Sequence, residues 1–182
     1  MNIKGQRIKI VPFSEEHITE NYIEWLNDSE INLLLGREEY FNGFSVSDGI
    51  DYLNEMKSNP GITFLAIINE NNSFIGTAKI ILRNPIQVNL TSEIGIMIGD
   101  KSQWRKGYAK ETIFFISNYL FINKHKKVTA GGFSNNISMI KSFEAVGFIE
   151  EGRIRKKLML KGDYHDHIKL GCFSDELKLP KK

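Results

Sequence analysis

The stretch Glu93-Ile-Gly-Ile-Met-Ile-Gly-Asp-Lys-Ser-Gln-Trp-Arg-Lys-Gly-Tyr-Ala-Lys-Glu111 decides the fold. An apolar strand, 93–98, runs into a polar loop that ends at Gly107, and a helix follows. Anions are attracted to such a place, because the N–H groups of a first helical turn lack helical partners and the helix dipole adds positive potential. Gly107 would allow the backbone to approach a ligand closely. The cations of the stretch are Lys101, Arg105, Lys106 and Lys110.

Two well-known phosphate loops are absent from the sequence. It contains no G-x-x-x-x-G-K-[ST] motif, and no G-x-G-x-x-G motif opens a strand-helix-strand unit. From the residues alone, two interpretations of this loop stay open. It is either an anion site or an ordinary strand-to-helix turn with solvated lysines.

The remaining pattern predicts the order β-α-α-β-β-β-α-β-α-β-β. The predicted strands are 8–11, 63–68, 74–82, 93–98, 127–133, 148–160 and 164–173. The predicted helices begin at Ser14, Ser45, Ala109 and Asn136. The strands must form a mixed sheet, antiparallel at the hairpins and parallel where a helix intervenes. A single domain over residues 1–182 is expected at this chain length.

Composition restricts the class of protein. The formal net charge of +2 argues against a nucleic-acid partner, since such proteins normally carry a clear basic excess. The one cysteine, Cys172, cannot form an intramolecular disulfide, and no metal site is predicted. The N-terminus lacks the apolar run of a signal peptide, and no stretch approaches the roughly 20 apolar residues of a membrane span. We therefore expect a cytoplasmic protein without a membrane partner.

Several ordered motifs carry a family resemblance. Trp104-Arg-Lys-Gly-Tyr-Ala109 is followed by Asn136-Ile-Ser-Met-Ile-Lys-Ser-Phe-Glu-Ala-Val-Gly-Phe148, and then by Gly162-Asp-Tyr-His-Asp166. This set resembles the GNAT superfamily of acyl-CoA N-acetyltransferases, and in particular the ribosomal-protein N-terminal acetyltransferase branch. The resemblance covers essentially the whole chain. It implies the α/β GNAT fold, with a mixed, mostly antiparallel sheet of about six or seven strands and about four helices.

The resemblance also implies a site for acetyl-CoA between strands 93–98 and 127–133. The backbone of Met97 and Ile98 would pair with the pantetheine arm. Asn136 would bond the pantetheine or the chain near it, or act only as a helix N-cap. Phe143 takes the place of a tyrosine that often protonates the leaving thiolate in this superfamily. The predicted pyrophosphate loop comprises Trp104, Arg105, Lys106, Gly107, Tyr108, Ala109 and Lys110.

The chemistry implied is attack of an amine on a thioester. An alkylamine with a pKa of about 10.4 is protonated at pH 7, so a group must accept its proton. Glu93 is the candidate base, directly or through a water; an ion-paired structural glutamate is the alternative. Because a thiol has a pKa near 8.5, its thiolate leaves without a strong acid. Tyr164 or a water could supply the proton, with packing as the alternative for Tyr164.

Three hypotheses for the function remain open. The first is acetylation of a small-molecule amine, with a nucleotide-linked amino sugar as the candidate and Arg37 and Arg83 as phosphate-binding groups. The second is a protein N-terminal acetyltransferase, and the third is a non-catalytic acyl-CoA-binding module. An acidic run would instead favour a polyamine or a peptide N-terminus; it comprises Asp28, Glu30, Glu38 and Glu39. The sequence leaves a homodimer open.

Overall fold

A computed structural model describes residues 1–37 and 43–180. The strands are β1 (Ile3–Lys4), β2 (Ile8–Pro12), β3 (Ile62–Asn69), β4 (Phe74–Asn84), β5 (Thr91–Ile98), β6 (Lys127–Phe133), β7 (Ile149–Leu160) and β8 (Asp163–Cys172). The helices are α1 (Glu20–Asn27), α2 (Ser29–Leu35), α3 (Val46–Ser58), α4 (Tyr108–Ile122) and α5 (Ile137–Glu144). The strands form one sheet in the order β1-β2-β3-β4-β5-β6-β8-β7.

The predicted mixed, mostly antiparallel sheet is confirmed, with one strand and one helix more than expected. The additional strand, β1, contributes only two residues, which is too short to show a period-two pattern. The additional helix, α2, begins at Asp28, whose side chain accepts hydrogen bonds from two N–H groups of the first turn. The helix predicted from Ser14 was wrong in its start. Ser14 caps a single 3-10 turn, and α1 begins after Thr19.

Alternation along β5 divides the core between the two faces of the sheet. Ile94, Ile96 and Ile98 belong to a cluster that includes buried residues of α4 and α5. Met97 points the other way and packs with buried residues of α1, α2 and α3. Because successive side chains in a strand alternate between faces, Glu93 and Gly95 share the face of Met97. The helices therefore cover both sides of the sheet.

The sheet is interrupted in the middle. β5 and β6 form its one parallel pair within the described residues, and that pair holds only from Thr91 and Lys127 to Glu93 and Thr129. Beyond this point β5 stays paired with β4 as far as Ile98, while β6 stays paired with β8. Each of the two strands thus stays paired with its outer neighbour, while the pairing between β5 and β6 ends. The result is a V-shaped opening between residues 94–98 and 130–133.

Candidate functional site

The predicted anion loop lies beside this opening. Gly107 is the N-cap of α4 with φ 87°, and Arg105 also has a positive φ, 61°. No side chain caps the helix. Among the described residues, no acceptor is paired with the N–H groups of residues 105–110. These groups can therefore bind an external anion, as the helix N-terminus favours.

Arg7 fixes the start of α4, and the sequence analysis missed it. Its backbone N–H and its Nε donate to the Glu111 carboxylate at 2.6 and 3.0 Å. Its Nη1 donates to the carbonyl of Lys106 at 2.9 Å. Glu111 is buried, so this pairing holds the loop and the first helical turn in place. Arg7 lies about a hundred residues away in sequence, and no local pattern could have paired it with Glu111.

Two predicted loop residues use their side chains inside the protein. Trp104 Nε1 donates to the carbonyl of Ile98 at 2.7 Å and closes the loop against β5. The Tyr108 hydroxyl donates to Glu70 at 2.9 Å. Burial first, and then the hydrogen bond to Glu70, raise the pKa of Tyr108, so the phenol stays protonated. These two residues can meet a ligand in the loop mainly through their backbone.

The backbone of β5 offers one of the two residues predicted to pair with pantetheine. Gly99 N–H donates to Ile75 O at 2.9 Å. Because paired positions alternate in an antiparallel ladder, the N–H and C=O of Met97 point toward β4, and those of Ile98 point into the opening. The backbone of Met97 therefore faces β4 and is not available to the pantetheine arm, which corrects this part of the prediction. The Ile98 carbonyl is already bonded to Trp104, which leaves its N–H.

Asn136 is an N-cap of α5 in this structure. Its Oδ1 accepts from the Met139 N–H at 3.2 Å, and its Nδ2 donates to the carbonyl of Leu34 at 3.2 Å. The helix-cap alternative is thus present, and the cap also ties α5 to α2. A contact between Asn136 and a ligand stays a prediction.

Phe143 lies in the core. Its side chain is 2% exposed, and its ring packs on Phe148 with the centroids 5.0 Å apart. We therefore correct its predicted place in the cofactor site, because a ring with so little free surface cannot line a ligand. Because a phenyl ring has no hydroxyl group, Phe143 cannot replace the tyrosine that often protonates the leaving thiolate in the superfamily.

Glu93 stands where β5 and β6 part. Its Oε2 accepts from Arg83 Nε at 2.8 Å, and its side chain is 35% exposed. The other oxygen, Oε1, makes no hydrogen bond with the described part of the chain. The ion-paired alternative is therefore present, and it leaves one carboxylate oxygen available at the opening. Arg83 thus pairs with Glu93 through its Nε, and its predicted role in binding a phosphate stays a prediction.

His167 faces the same region, and the sequence analysis did not assign it a role. A Cβ on Gly131 would lie 2.6 Å from the His167 ring, so the glycine allows the ring to lie across β6. Burial, together with Lys169, lowers the pKa of His167, while the charge of Glu93 acts in the opposite direction. The imidazole is therefore neutral at pH 7. The signal that could have indicated this placement is the glycine on the neighbouring strand.

Tyr164 lies away from Glu93. It is 58% exposed and pairs with Met159 at the tip of the β7–β8 hairpin, beyond the last residue of β6, Phe133. The Lys156 ammonium lies 5.3 Å from the centre of its ring. The structure therefore places Tyr164 near the hairpin tip, while the proposed base lies where the strands part.

A pocket of about 110 Å³ lies on the Glu93 face of the sheet, against β5. Aromatic rings and two cations line it, together with Gly95, whose missing side chain leaves open space. The Lys79 ammonium there donates to the Tyr52 hydroxyl at 3.2 Å. The lining residues that matter below are Tyr22, Arg37, Tyr52, Phe64, Lys79 and Gly95.

Asp28 and Glu30, two of the acidic residues proposed to attract a polyamine, do not line this pocket. Asp28 and Glu30 both pair with Lys101, at 2.6 and 2.8 Å. The Lys101 hydrogen bond and two backbone N–H groups hold the pKa of Asp28 below its ordinary value, against the opposing effect of burial. Glu38 and Glu39 lie outside the described residues. Both described members of the acidic run therefore share one cation, Lys101, outside the pocket.

No group of three or more His, Cys, Asp or Glu side chains that could hold a metal ion was found among them. No helix within residues 1–37 and 43–180 has the length and apolar character needed to cross a membrane.

Comparisons with known proteins agree with this geometry. The family model described as "Acetyltransferase (GNAT) domain" matches residues 7–149. An SPbeta prophage-derived uncharacterized N-acetyltransferase, YokL of Bacillus subtilis, is 36% identical over 75 residues, covering 41% of this chain and only 42% of the relative. The spermidine N-acetyltransferase of Vibrio cholerae, solved with CoA and spermine, superimposes with a TM-score of 0.80 at 18% identity, covering 93% of this chain and 97% of its own.

A further solved structure, Mycobacterium smegmatis RimJ in complex with CoA-disulfide, covers 99% of this chain and 90% of its own, with a TM-score of 0.81 at 15% identity. At such identities the two structural likenesses show the fold alone. The family model matches well over half of the residues, and several relatives are named N-acetyltransferases. The chain belongs to the GNAT family of acetyltransferases.

Proposed function

We propose that this protein transfers the acetyl group of acetyl-CoA to the primary amine of a small molecule by direct attack. The observation that carries the proposal is the opening between β5 and β6 next to the unpaired N–H groups of residues 105–110. A pyrophosphate bound at those N–H groups would allow an extended arm to reach the point where the strands part. Structural neighbours solved with CoA support this choice of co-substrate.

The residues of the loop fit such a ligand. Gly107 adopts a left-handed φ that disfavours any side chain, and the Arg7 guanidinium lies within 3.3 Å of the position a Cβ would take. Lys106 and Lys110 add positive charge. The chain thus offers backbone donors, a helix N-terminus and cations in one place.

Glu93 is the group we assign to accept the amine proton, directly or through a water. The amine nitrogen attacks the thioester carbonyl, the carbon–sulfur bond breaks, and CoA leaves as a thiolate that solvent protonates. The ion pair with Arg83 holds the carboxylate in position, and its second oxygen is available to take the proton. Tyr164 is not required in this scheme, because a thiolate leaves without a strong acid.

Two finer proposals for the acceptor differ in their support. The proposal of a nucleotide-linked amino sugar is supported by Arg37, which lines the pocket. Arg83, the other arginine predicted to bind its phosphates, pairs with Glu93. A protein N-terminus is suggested by the likeness to RimJ, which at this identity concerns the fold. The small pocket against β5 favours a small molecule, and we propose that class.

Calorimetric titration with acetyl-CoA tests the co-substrate. Gly107→Glu places bulk and negative charge at the pyrophosphate, so acetyl-CoA binding should be lost, with an expected drop in affinity of about 100-fold or more. The matched control is Gly162→Glu, because Gly162 has a φ of +90° and open space around it but lies at the hairpin tip. Equal affinity in the two variants would mean that the loop is wrongly assigned.

A further inference from the structure

Lys79 is a half-buried cation that has no anionic partner among residues 1–37 and 43–180. Its ammonium donates to the Tyr52 hydroxyl at 3.2 Å and lies 5.8 Å from the centre of the same ring. No carboxylate within the described residues forms an ion pair with it. A partly desolvated ammonium that meets only a neutral hydroxyl is incompletely compensated, so it is suited to binding an anion.

The position of Lys79 connects it to the reacting end of the pocket. It lies directly opposite Gly95 in the β4–β5 register, and both line the pocket. Gly95 itself is two residues beyond Glu93, just past the point where β5 and β6 part. A ligand in the pocket can therefore place one end at the opening and the other near Lys79.

The described lining of the pocket carries cations and no negative charge. Arg37 is its second cation, and the described lining includes no carboxylate. The nearby acidic residues are already paired, Asp28 and Glu30 with Lys101 and Glu93 with Arg83. A polyamine, which needs carboxylates along its length, would meet the Lys79 ammonium and no carboxylate in the described lining.

We propose that the acceptor is a small amine that also carries a carboxylate or a phosphate, and that Lys79 binds this anionic group. The inference rests on the proposed acetyl transfer and specifies its substrate class. Tyr22, Tyr52 and Phe64 enclose the middle of the ligand, while the anionic group directs the amine end over Gly95 toward the thioester. Aromatic walls with a few placed polar groups are typical of small-molecule sites.

The test compares amines that differ only in the anionic group. The pairs are 4-aminobutyrate with butylamine, tyrosine with tyramine, and phosphoethanolamine with ethanolamine, and spermidine represents the polyamines. We expect at least one anionic member to exceed its neutral partner in kcat/KM by about ten-fold or more, as a charge-assisted contact would give. The carboxylate and phosphate pairs distinguish the two anionic groups.

Variants of Lys79 show whether the preference arises at this site. Lys79→Gln should raise KM for the anionic acceptor by about ten-fold and leave the neutral partner within two-fold, and Lys79→Glu should abolish the preference. The control is Lys57→Gln, an exposed lysine in the last turn of α3. Butylamine, tyramine or spermidine turning over faster than the anionic amines, or a preference that survives Lys79→Glu, overturns the inference.

A second readout keeps this result separate from the proposed function. Binding of the anionic amines is measured by calorimetry with CoA already bound, so that the pyrophosphate loop is occupied. A protein that binds CoA but shows no Lys79-dependent binding of any anionic amine contradicts the substrate class alone. A protein that fails to bind CoA contradicts the proposed function.

Discussion

At the scale of single residues, Glu93 carries the proposed chemistry. Glu93→Gln keeps the size of the side chain and removes its capacity to take a proton, so kcat should fall by about 100-fold or more. Affinity for acetyl-CoA, measured by calorimetry, should stay nearly unchanged. The control is Glu150→Gln, which breaks an ion pair with Arg153 on β7. Wild-type turnover of Glu93→Gln from pH 6 to 9 would assign Glu93 a structural role.

His167 permits a prediction about pH and stability. Burial lowers its pKa in the folded protein below the ordinary value of 6.5, so the unfolded chain binds more protons near that pH. The stabilisation from a neutral His167 is therefore present above pH 6.5 and is lost as the pH falls through the lower, folded-state pKa. Differential scanning calorimetry should find a drop in Tm between pH 7 and pH 5.5 that is smaller in His167→Gln.

A second histidine serves as a reference for that measurement. Burial also lowers the pKa of His125, which lies at the C-terminal end of α4 away from the opening. His125→Gln should reduce the acid-side drop in the same direction, and the two effects should add because the residues are separate. A Tm that falls equally in wild type and in both variants would show that other groups control stability in this range.

At the scale of elements, the free edge of β5 determines access to the reaction. Gly95 has open space where a Cβ would stand, and valine is favoured in strands, so Gly95→Val should fold. Its side chain would narrow the passage from the pocket to the opening. We expect kcat/KM for the acceptor to fall about ten-fold or more and acetyl-CoA affinity to change less than two-fold.

The control for this substitution is a glycine on β7. Gly152 also has open space around its missing Cβ, and Gly152→Val should leave both kinetic constants unchanged. Loss of acetyl-CoA affinity in Gly95→Val would instead place the co-substrate over Gly95. That result would contradict the division between an acceptor pocket and a co-substrate opening.

The predicted elements were those with a local signature. Each of these elements is indicated by a few neighbouring residues. Examples are the apolar run 93–98 for β5, Gly107 before α4, and the turn Lys161-Gly162-Asp163 between β7 and β8. α2 was missed because it is only seven residues long and adjoins α1. The opening could be expected only through the family resemblance, since the parting of β5 and β6 depends on their separate outer partners.

At the scale of the whole molecule, the long-range pairs of the site were beyond local reasoning. The Arg7–Glu111 pair joins the turn between β1 and β2 to α4. The Arg83–Glu93 pair joins β4 to β5, and the Lys79–Tyr52 contact joins β4 to α3. None of these contacts has a sequence spacing that indicates it. The proposed co-substrate loop could be recognised in the sequence because its residues are consecutive. The acceptor pocket was not, because α1, α2, α3, β3, β4 and β5 build it together.

The fold also isolates the one thiol of the chain. Cys172 is buried in β8, and burial raises its pKa to about 12. The thiol is therefore protonated and unreactive at neutral pH. Free thiol that appears during a reaction with acetyl-CoA can consequently be attributed to released CoA.

The most direct test of acetyl transfer follows both products of one reaction. The protein is incubated with acetyl-CoA and a panel of amino acids, aminoalkyl phosphates, amino sugars, polyamines and peptides. Thiol release is recorded continuously, and the acetylated amine is measured by mass spectrometry. We predict one acetylated amine per thiol released, with both signals lowered about 100-fold in Glu93→Gln. Thiol release that is independent of every amine, or tight acetyl-CoA binding without any acetylated product, would contradict the account.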